Sequence, residues 1–228
     1  MIAGLTSGEW AVIGLSVKVG AVAVIGAMPL AFALAWILSR KRFPGKVLLD
    51  ALVHLPLVVP PVVTGWLLLL TFGANGPVGR WLAEWFGISL VFRWTGAALA
   101  AAVMALPLMV RAIRLSFDSV DRRLEGAART LGAGRWRTFA QITLPLALPG
   151  VAAGAVLGLA RSIGEFGATI TFVSNIPGET RTIPLAIYTA LQSPDGGASV
   201  TRLAIASVLL SLAALLVSEW LVRKGAGR

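Results

Sequence analysis

His54 is the only histidine in the chain, and there is no cysteine. Without a second histidine or paired carboxylates beside it, His54 has nothing with which to build a metal site. It reads as a hydrogen-bonded or interfacial residue near a helix start. The lack of cysteine removes disulfides, thiolate ligands and thiol nucleophiles together. A nucleotide-phosphate cradle is missing as well. Gly45-Lys46 is followed by Val47 and lacks an upstream glycine, whereas such a cradle needs glycine-rich backbone and a hydroxyl for magnesium after the lysine. The pattern that remains is Glu125-Gly126-Ala127-Ala128-Arg129-Thr130-Leu131-Gly132, followed by Ile142-Thr143-Leu144-Pro145. These residue types suit recognition rather than catalysis. Small residues at 126–128 let a foreign surface approach the backbone. Gly132 permits a left-handed turn that fixes the angle between two arms. The arginines can pair with acidic or carbonyl groups of a partner.

The spacing predicts two short helices here. Ser119 or Asp121 is the N-cap. Leu124, Ala127, Ala128 and Leu131 then share one side, with Arg122, Arg123 and Arg129 elsewhere. Gly134 gives a second bend, and Trp136, Phe139 and Ala140 form the next apolar stripe. Two readings fit these residues. One is a folded docking unit for another protein. The other is a basic loop lying on anionic lipid.

Composition places this unit in a membrane protein. Hydrophobic residues make up 57% of the 228 and charged residues 13%, more apolar surface than a soluble domain of this size can hide. The net charge of +10 falls in loops between apolar runs, which is a topology signature and argues against nucleic-acid binding. Eight tryptophans suit a protein with two membrane interfaces. Met1 to Glu9 holds no basic residue, so the N-terminus does not read as a cleavable signal.

About 20 apolar residues span the hydrocarbon as a helix. Five stretches qualify: Trp10 to Leu38, Val47 to Phe72, Trp94 to Ile113, Leu144 to Ile163 and Leu203 to Val222. Pro29 is expected to kink the first, and Lys18 to snorkel from it to the headgroups. Fourteen basic residues lie in 39–46, 111–143 and the tail Arg223, Lys224 and Arg228, against four on the other side: Arg80, Arg93, Arg181 and Arg202. The positive-inside rule therefore puts the N-terminus outside and the C-terminus in the cytoplasm. Trp81, Trp85 and Phe86 are spaced like one face of a short interfacial helix. Ile183 to Leu191 reads as a short helix begun by Pro184, in a segment 165–200 that can re-enter the membrane. No internal repeat is visible. The expected architecture is an all-α integral membrane protein, one domain over residues 1–228. Its core is 10–222 and its docking loop about 119–143.

Within the spans, Pro56, Pro60, Pro61 and Thr64 mark irregular backbone of the kind tolerated where it lines a cavity or is buried in protein. They are candidates for a translocation pathway, with simple helix packing as the alternative. Arg161, Ser162 and Glu165 are the other candidates. Arg161 and Glu165 are four apart, as in a structural pair or a gate element. Gly150, Gly154 and Gly158 recur every fourth residue and suit close helix packing, within the subunit or between copies.

The glycine, nine intervening residues and Ile-x-Leu-Pro resemble the inner loop shared by permease subunits of binding-protein-dependent ABC importers. In that family the loop docks in a cleft of the ATPase subunit and transmits its closure. The usual form begins Glu-Ala-Ala. Here Gly126 occupies the Glu position and Glu125 lies one residue earlier, so the acidic role does not transfer by position. Leu55-Pro56-Leu57-Val58-Val59-Pro60-Pro61-Val62-Val63, Arg161-Ser162-Ile163-Gly164-Glu165-Phe166-Gly167-Ala168-Thr169 and Phe172 to Pro184 resemble the molybdate branch. The resemblance implies a multi-pass protein of the bacterial inner membrane that imports molybdate or tungstate. It also implies a second copy of the chain, two ATP-binding subunits and a periplasmic molybdate-binding protein as partners, besides membrane lipid. Glu125, Gly126, Ala127, Ala128, Arg129, Leu131, Gly132, Ile142, Leu144 and Pro145 would carry the coupling. No cofactor or metal is expected on this chain, with ATP and magnesium on the partner. Relatives with a sixth, N-terminal helix exist; this chain is expected to lack it, and to lack a regulatory tail domain. Sulfate is the rival cargo. A secondary transporter would show repeats or several intramembrane charges. A membrane-embedded enzyme would need acid–base or metal groups that this chain lacks.

Overall fold

Alanine at every fourth position of the first helix decides how the bundle closes. Ala23, Ala27, Ala31 and Ala35 form one buried stripe, and small side chains at that spacing let a neighbouring helix approach closely. The computed structural model describes residues 4–226 of the chain. Residues 1–3 and Arg228 of the basic tail lie outside the described residues, as do the side chains of Arg223 and Lys224. The first helix, α1 (Ser7–Arg40), opens on a capping box: the Thr6 side chain accepts from the Glu9 N–H, and the Glu9 carboxylate accepts from the Thr6 N–H.

The alanine stripe meets α5 (Trp94–Ser119). Two apolar clusters form along this contact. One joins Ala31, Ala35 and Leu38 of α1 to Met109, Val110, Ile113 and Phe117 of α5. The other joins Val19 and Ala23 to Ala97, Ala101 and Met104. The third member of the bundle is α8 (Leu144–Ile163). A Cβ at Gly154 would come within 3.0 Å of Ile113, and one at Gly158 within 2.8 Å of Met109. The glycine stripe is therefore spent on packing inside the subunit. The last long helix, α11 (Gly197–Ala226), lies against α8. Its first turns are pinned to α1 ionically: the Arg202 guanidinium holds both oxygens of Glu9 at 2.8–3.1 Å, and Ser199 donates to the same carboxylate.

The second expected span is not one helix. It is α2 (Lys46–Val58) followed by α3 (Pro61–Phe72), bent by 113°. Pro60 and Pro61 lie at the break. Each lacks an N–H, and each biases the residue before it away from helical backbone. At about 1.5 Å per residue either half is some 20 Å long or less, short of the hydrocarbon thickness. Among the described residues, four helices are long and apolar enough to cross a membrane, or five if the bent pair counts as one.

Outside the long helices, α4 (Pro77–Phe86) carries Trp81 and Trp85 exposed, as the interfacial pattern predicts. Lys18, expected to reach headgroups, places its Nζ 3.7 Å from the centre of the Trp94 ring. The remaining short helices are α6 (Arg122–Thr130), α7 (Arg135–Thr138), α9 (Gly167–Val173) and α10 (Ile183–Leu191). No pattern predicted α9, yet its Ala168, Phe172 and Val173 belong to the second cluster. The part of 165–200 nearest α8 is thus core.

Candidate functional site

The connection between α5 and α8 folds as the spacing predicted, with two differences. Asp121 is the cap, accepting from the Arg123 N–H at 2.8 Å, whereas the Ser119 hydroxyl turns back to the Ser116 carbonyl. Gly132 holds φ +85° with open space around its α-carbon. That conformation is strained for any residue with a Cβ, and it sets the angle between α6 and α7. The first difference is that α7 does not end before the span. A π-turn, Phe139–Thr143, carries it directly into α8. Pro145 has no N–H to continue the α-helical ladder, and the Leu144 N–H bonds the Phe139 carbonyl five residues back. Ile142, Leu144 and Pro145 therefore sit in a continuous helical rod, Arg135–Ile163.

The second difference is which way α6 faces. Leu124, Ala127, Ala128 and Leu131 share one side, but that side points away from the protein. Leu124 is 47% exposed, Leu131 88%, and Trp136 on the next arm 79%. A surface helix packed on a protein core turns its apolar stripe inward. Here the inward group is a charge, Glu125. The Thr143 hydroxyl donates to Glu125 Oε1 at 2.7 Å, and Arg40 Nη2 at the end of α1 lies 2.9 Å from the same oxygen. Arg129 stands 3.9 Å from Oε2. Arg122, Arg123 and Arg129 of the same short helix are exposed as well.

An aromatic cluster completes the attachment. The Trp36 ring lies 4.7 Å from Phe139 and 5.2 Å from Phe117, edge-on in both cases, and Phe32 meets Phe117 at 5.2 Å. The π-turn is thus packed against α1 and α5 through edge-on ring contacts. Sequence reasoning missed Trp36, Arg40 and Thr143. Phe32, Trp36 and Arg40 follow four-residue spacing at the end of α1, which was the available signal. Arg40 was counted only as a loop charge.

The second candidate set is partly brought together. A Cβ on Gly167 would fall 2.8 Å from Pro61, and one on Gly65 2.6 Å from the Ala168 carbonyl. Pro61 and Gly65 therefore meet the start of α9 just after the α2–α3 break, with Thr64 buried between them in sequence. Pro60 adjoins them in sequence, but Pro56 sits a turn back within α2. Arg161 Nη1 pairs with Glu165 Oε2 at 2.7 Å, and Glu165 Oε1 accepts from the Ala168 N–H at 2.8 Å. Glu165 is buried with both oxygens engaged, so it joins α8 to α9. Ser162 Oγ is buried without a hydrogen-bond partner.

His54 is not isolated: its Nδ1 lies 2.8 Å from the Asp50 carbonyl and 3.2 Å from Asp50 Oδ1. Arg114 Nη1 reaches Asp50 Oδ2 at 2.9 Å, tying α2 to α5. No group of three metal-ligating side chains occurs among the described residues.

Residues 27–225 match the family described as the binding-protein-dependent transport system inner membrane component. The chain is 60% identical over 219 residues to the molybdenum transport system permease protein ModB of Escherichia coli K12, covering 96% of each chain. It is 56% identical over 216 residues to ModB of Haemophilus influenzae, covering 95% of this chain and 94% of that one. The sulfate transport system permease protein CysT of E. coli is more distant, at 42% over 184 residues, 81% of this chain and 65% of CysT. Among solved structures, a bacterial ABC transporter importing the acidic polysaccharide alginate superposes with a TM-score of 0.70 at 18% identity, covering 97% of this chain and 80% of that one.

Proposed function

Because the chain belongs to the binding-protein-dependent transport system inner membrane component family, we propose a specific role for it: the membrane-spanning permease of an ATP-driven importer of molybdate. It is a transporter subunit of the bacterial inner membrane and not itself an enzyme. One observation carries the mechanical part of the reading. The apolar side of α6 faces outward at the Gly132 turn while the second arm runs unbroken into α8. A partner that grips Leu124, Leu131 and Trp136 can therefore pull directly on a long helix.

The partner this reading calls for is a separate ATP-binding subunit that carries the nucleotide and magnesium. The docking residues are then Leu124, Gly126, Ala127, Ala128, Arg129, Leu131 and Gly132. Glu125 fastens the unit from within, and Ile142, Leu144 and Pro145 join it to the span. Closure of two such subunits would swing α6 and α7 and rock the helices around the pathway, with alternating access as the result. A second copy supplies the other half of the pathway, and a periplasmic binding protein delivers the oxyanion. The junction of Pro60, Pro61 and Thr64 with Glu165 and Ala168 is the proposed moving part of that pathway. Arg161 and Glu165 hold it together, and Ser162 lies one turn below.

The proposed topology counts α2 and α3 as one broken span, with the N-terminus outside and the docking unit in the cytoplasm. Identity over nearly the full length favours molybdate over sulfate as cargo, and tungstate shares the shape and charge of molybdate. The test is uptake of labelled molybdate in cells lacking the gene, with sulfate and tungstate as competitors. Uptake should fall to background and return with the gene. Undiminished uptake in the deletion strain removes the assignment. The topology has its own test. Since the chain has no cysteine, a single cysteine at Leu131 should react with a membrane-impermeant thiol reagent only in inverted vesicles.

A further inference from the structure

Between α6 and the end of α1 lies a cavity of about 350 Å³ lined by Trp36, Arg40, Arg122, Glu125, Gly126 and Arg129. Three of its six residues are arginines and one is an acid. Arg122, Gly126 and Arg129 fall on one face of α6, opposite Leu124, Ala127 and Leu131, because positions four and seven apart align along a helix. Arg40 forms the floor. Its side chain is 10% exposed and lies 5.7 Å from the centre of the Trp36 ring. Its Nη2 is engaged by Glu125 Oε1 at 2.9 Å, whereas Nε is buried without a hydrogen-bond partner. Buried guanidinium donors without acceptors are rare and call for a missing group. Room for one exists at Gly126, where an added Cβ would meet nothing within 4 Å.

We propose that this cavity is a socket for an acidic side chain of the ATP-binding subunit. The proposal rests on the reading that 119–143 docks on that subunit. Charge complementarity names the occupant. Arg40, Arg122 and Arg129 outweigh Glu125, whose Oε1 is already taken by Thr143 and Arg40. An incoming carboxylate can bridge the rim arginines Arg122 and Arg129 in the planar geometry that guanidinium favours. The apolar stripe lies on the opposite face of α6, so a partner that reaches both must wrap around this short helix and insert the acid from its far side. The stripe would then supply adhesion, and the socket the register.

The test uses the full complex of this chain with its co-expressed ATP-binding subunit, in nanodiscs of neutral and of anionic lipid. Arg122→Glu combined with Arg129→Glu should weaken association of the ATP-binding subunit at least tenfold in both lipids. Arg135→Glu with Arg137→Glu, the same charge change on the other arm, should weaken it less than threefold. In the first background, one Asp→Lys or Glu→Lys change on the partner surface should restore binding. Equal losses from both pairs, no loss from the first pair, or a loss confined to anionic lipid would each overturn the socket. Leu131→Asp separates the two readings. If it abolishes association while the arginine pair does not, the docking stands and the socket falls. If it leaves association intact, the docking reading fails first.

Discussion

Glu125 offers the sharpest test of how the docking unit is held. Replacing it with glutamine keeps its shape and removes its charge. The Thr143 hydroxyl can still donate to the amide oxygen, but Arg40, nine-tenths buried, loses its counter-charge. Breaking a buried pair from one side costs about 3–5 kcal/mol in well-enclosed sites. Glu125 is 12% exposed on its side chain and the pair sits at the edge of the bundle, so water can reach part of it. About 2–4 kcal/mol is the expected loss for Glu125→Gln. Arg40→Gln should cost a similar amount. Combining them removes both buried charges, and the double variant should recover about 1.5 kcal/mol or more relative to the sum of the singles. The measurement is equilibrium unfolding of the purified chain in mixed micelles, as a double-mutant cycle. Strictly additive effects would show that the two charges do not sense one another, and the inward anchor would have to be abandoned. In transport assays, Glu125→Gln should keep binding the ATP-binding subunit but move less molybdate per ATP hydrolysed.

Three other predictions follow from backbone and packing. Gly132→Val should destabilise by about 1–2 kcal/mol or more, because φ +85° penalises a Cβ, whereas Gly126→Ala in the same unit should stabilise by about 0.5–1 kcal/mol; unfolding midpoints should move in opposite directions. Gly158→Leu should reduce the yield of folded protein, since its side chain would enter the space of Met109 and Val24 and overpacking costs about 1–3 kcal/mol. Gly26→Leu, where nothing lies within 4 Å, should leave the yield unchanged in a fluorescence size-exclusion profile. Pro61→Ala should lower molybdate uptake without loss of ATP-binding-subunit association, because it relaxes the break between α2 and α3; unaltered uptake would remove that break from the pathway.

Much of this architecture is legible in local chemistry. Long apolar runs give the spans at α1, α5, α8 and α11. Glycine at 132 and aspartate at 121 punctuate the docking unit where their conformational and hydrogen-bonding preferences put them, because a turn needing φ above zero and a helix needing an N-cap are local events. Prolines 60 and 61 announce an irregularity, but their local effect cannot fix its size. The bend of 113° depends on what α3 finds to pack against, and that is α9, a seven-residue helix whose pattern is too short to read. The direction of α6 is likewise a tertiary matter. An amphipathic stripe is expected to face inward, and only the placement of Arg40, eighty-five positions away in the sequence, turns Glu125 in and Leu131 out. The glycine stripe of α8 could have packed within the chain or between two copies. Met109 and Ile113 of α5 decide that it packs within. Sequence thus determines where the long helices lie, where the docking unit turns and that the chain belongs in a membrane, since each depends on neighbours a few residues apart. Which face of each helix is covered, and which is left waiting for a partner, depends on charges and side-chain volumes that only the folded chain brings within a few ångströms.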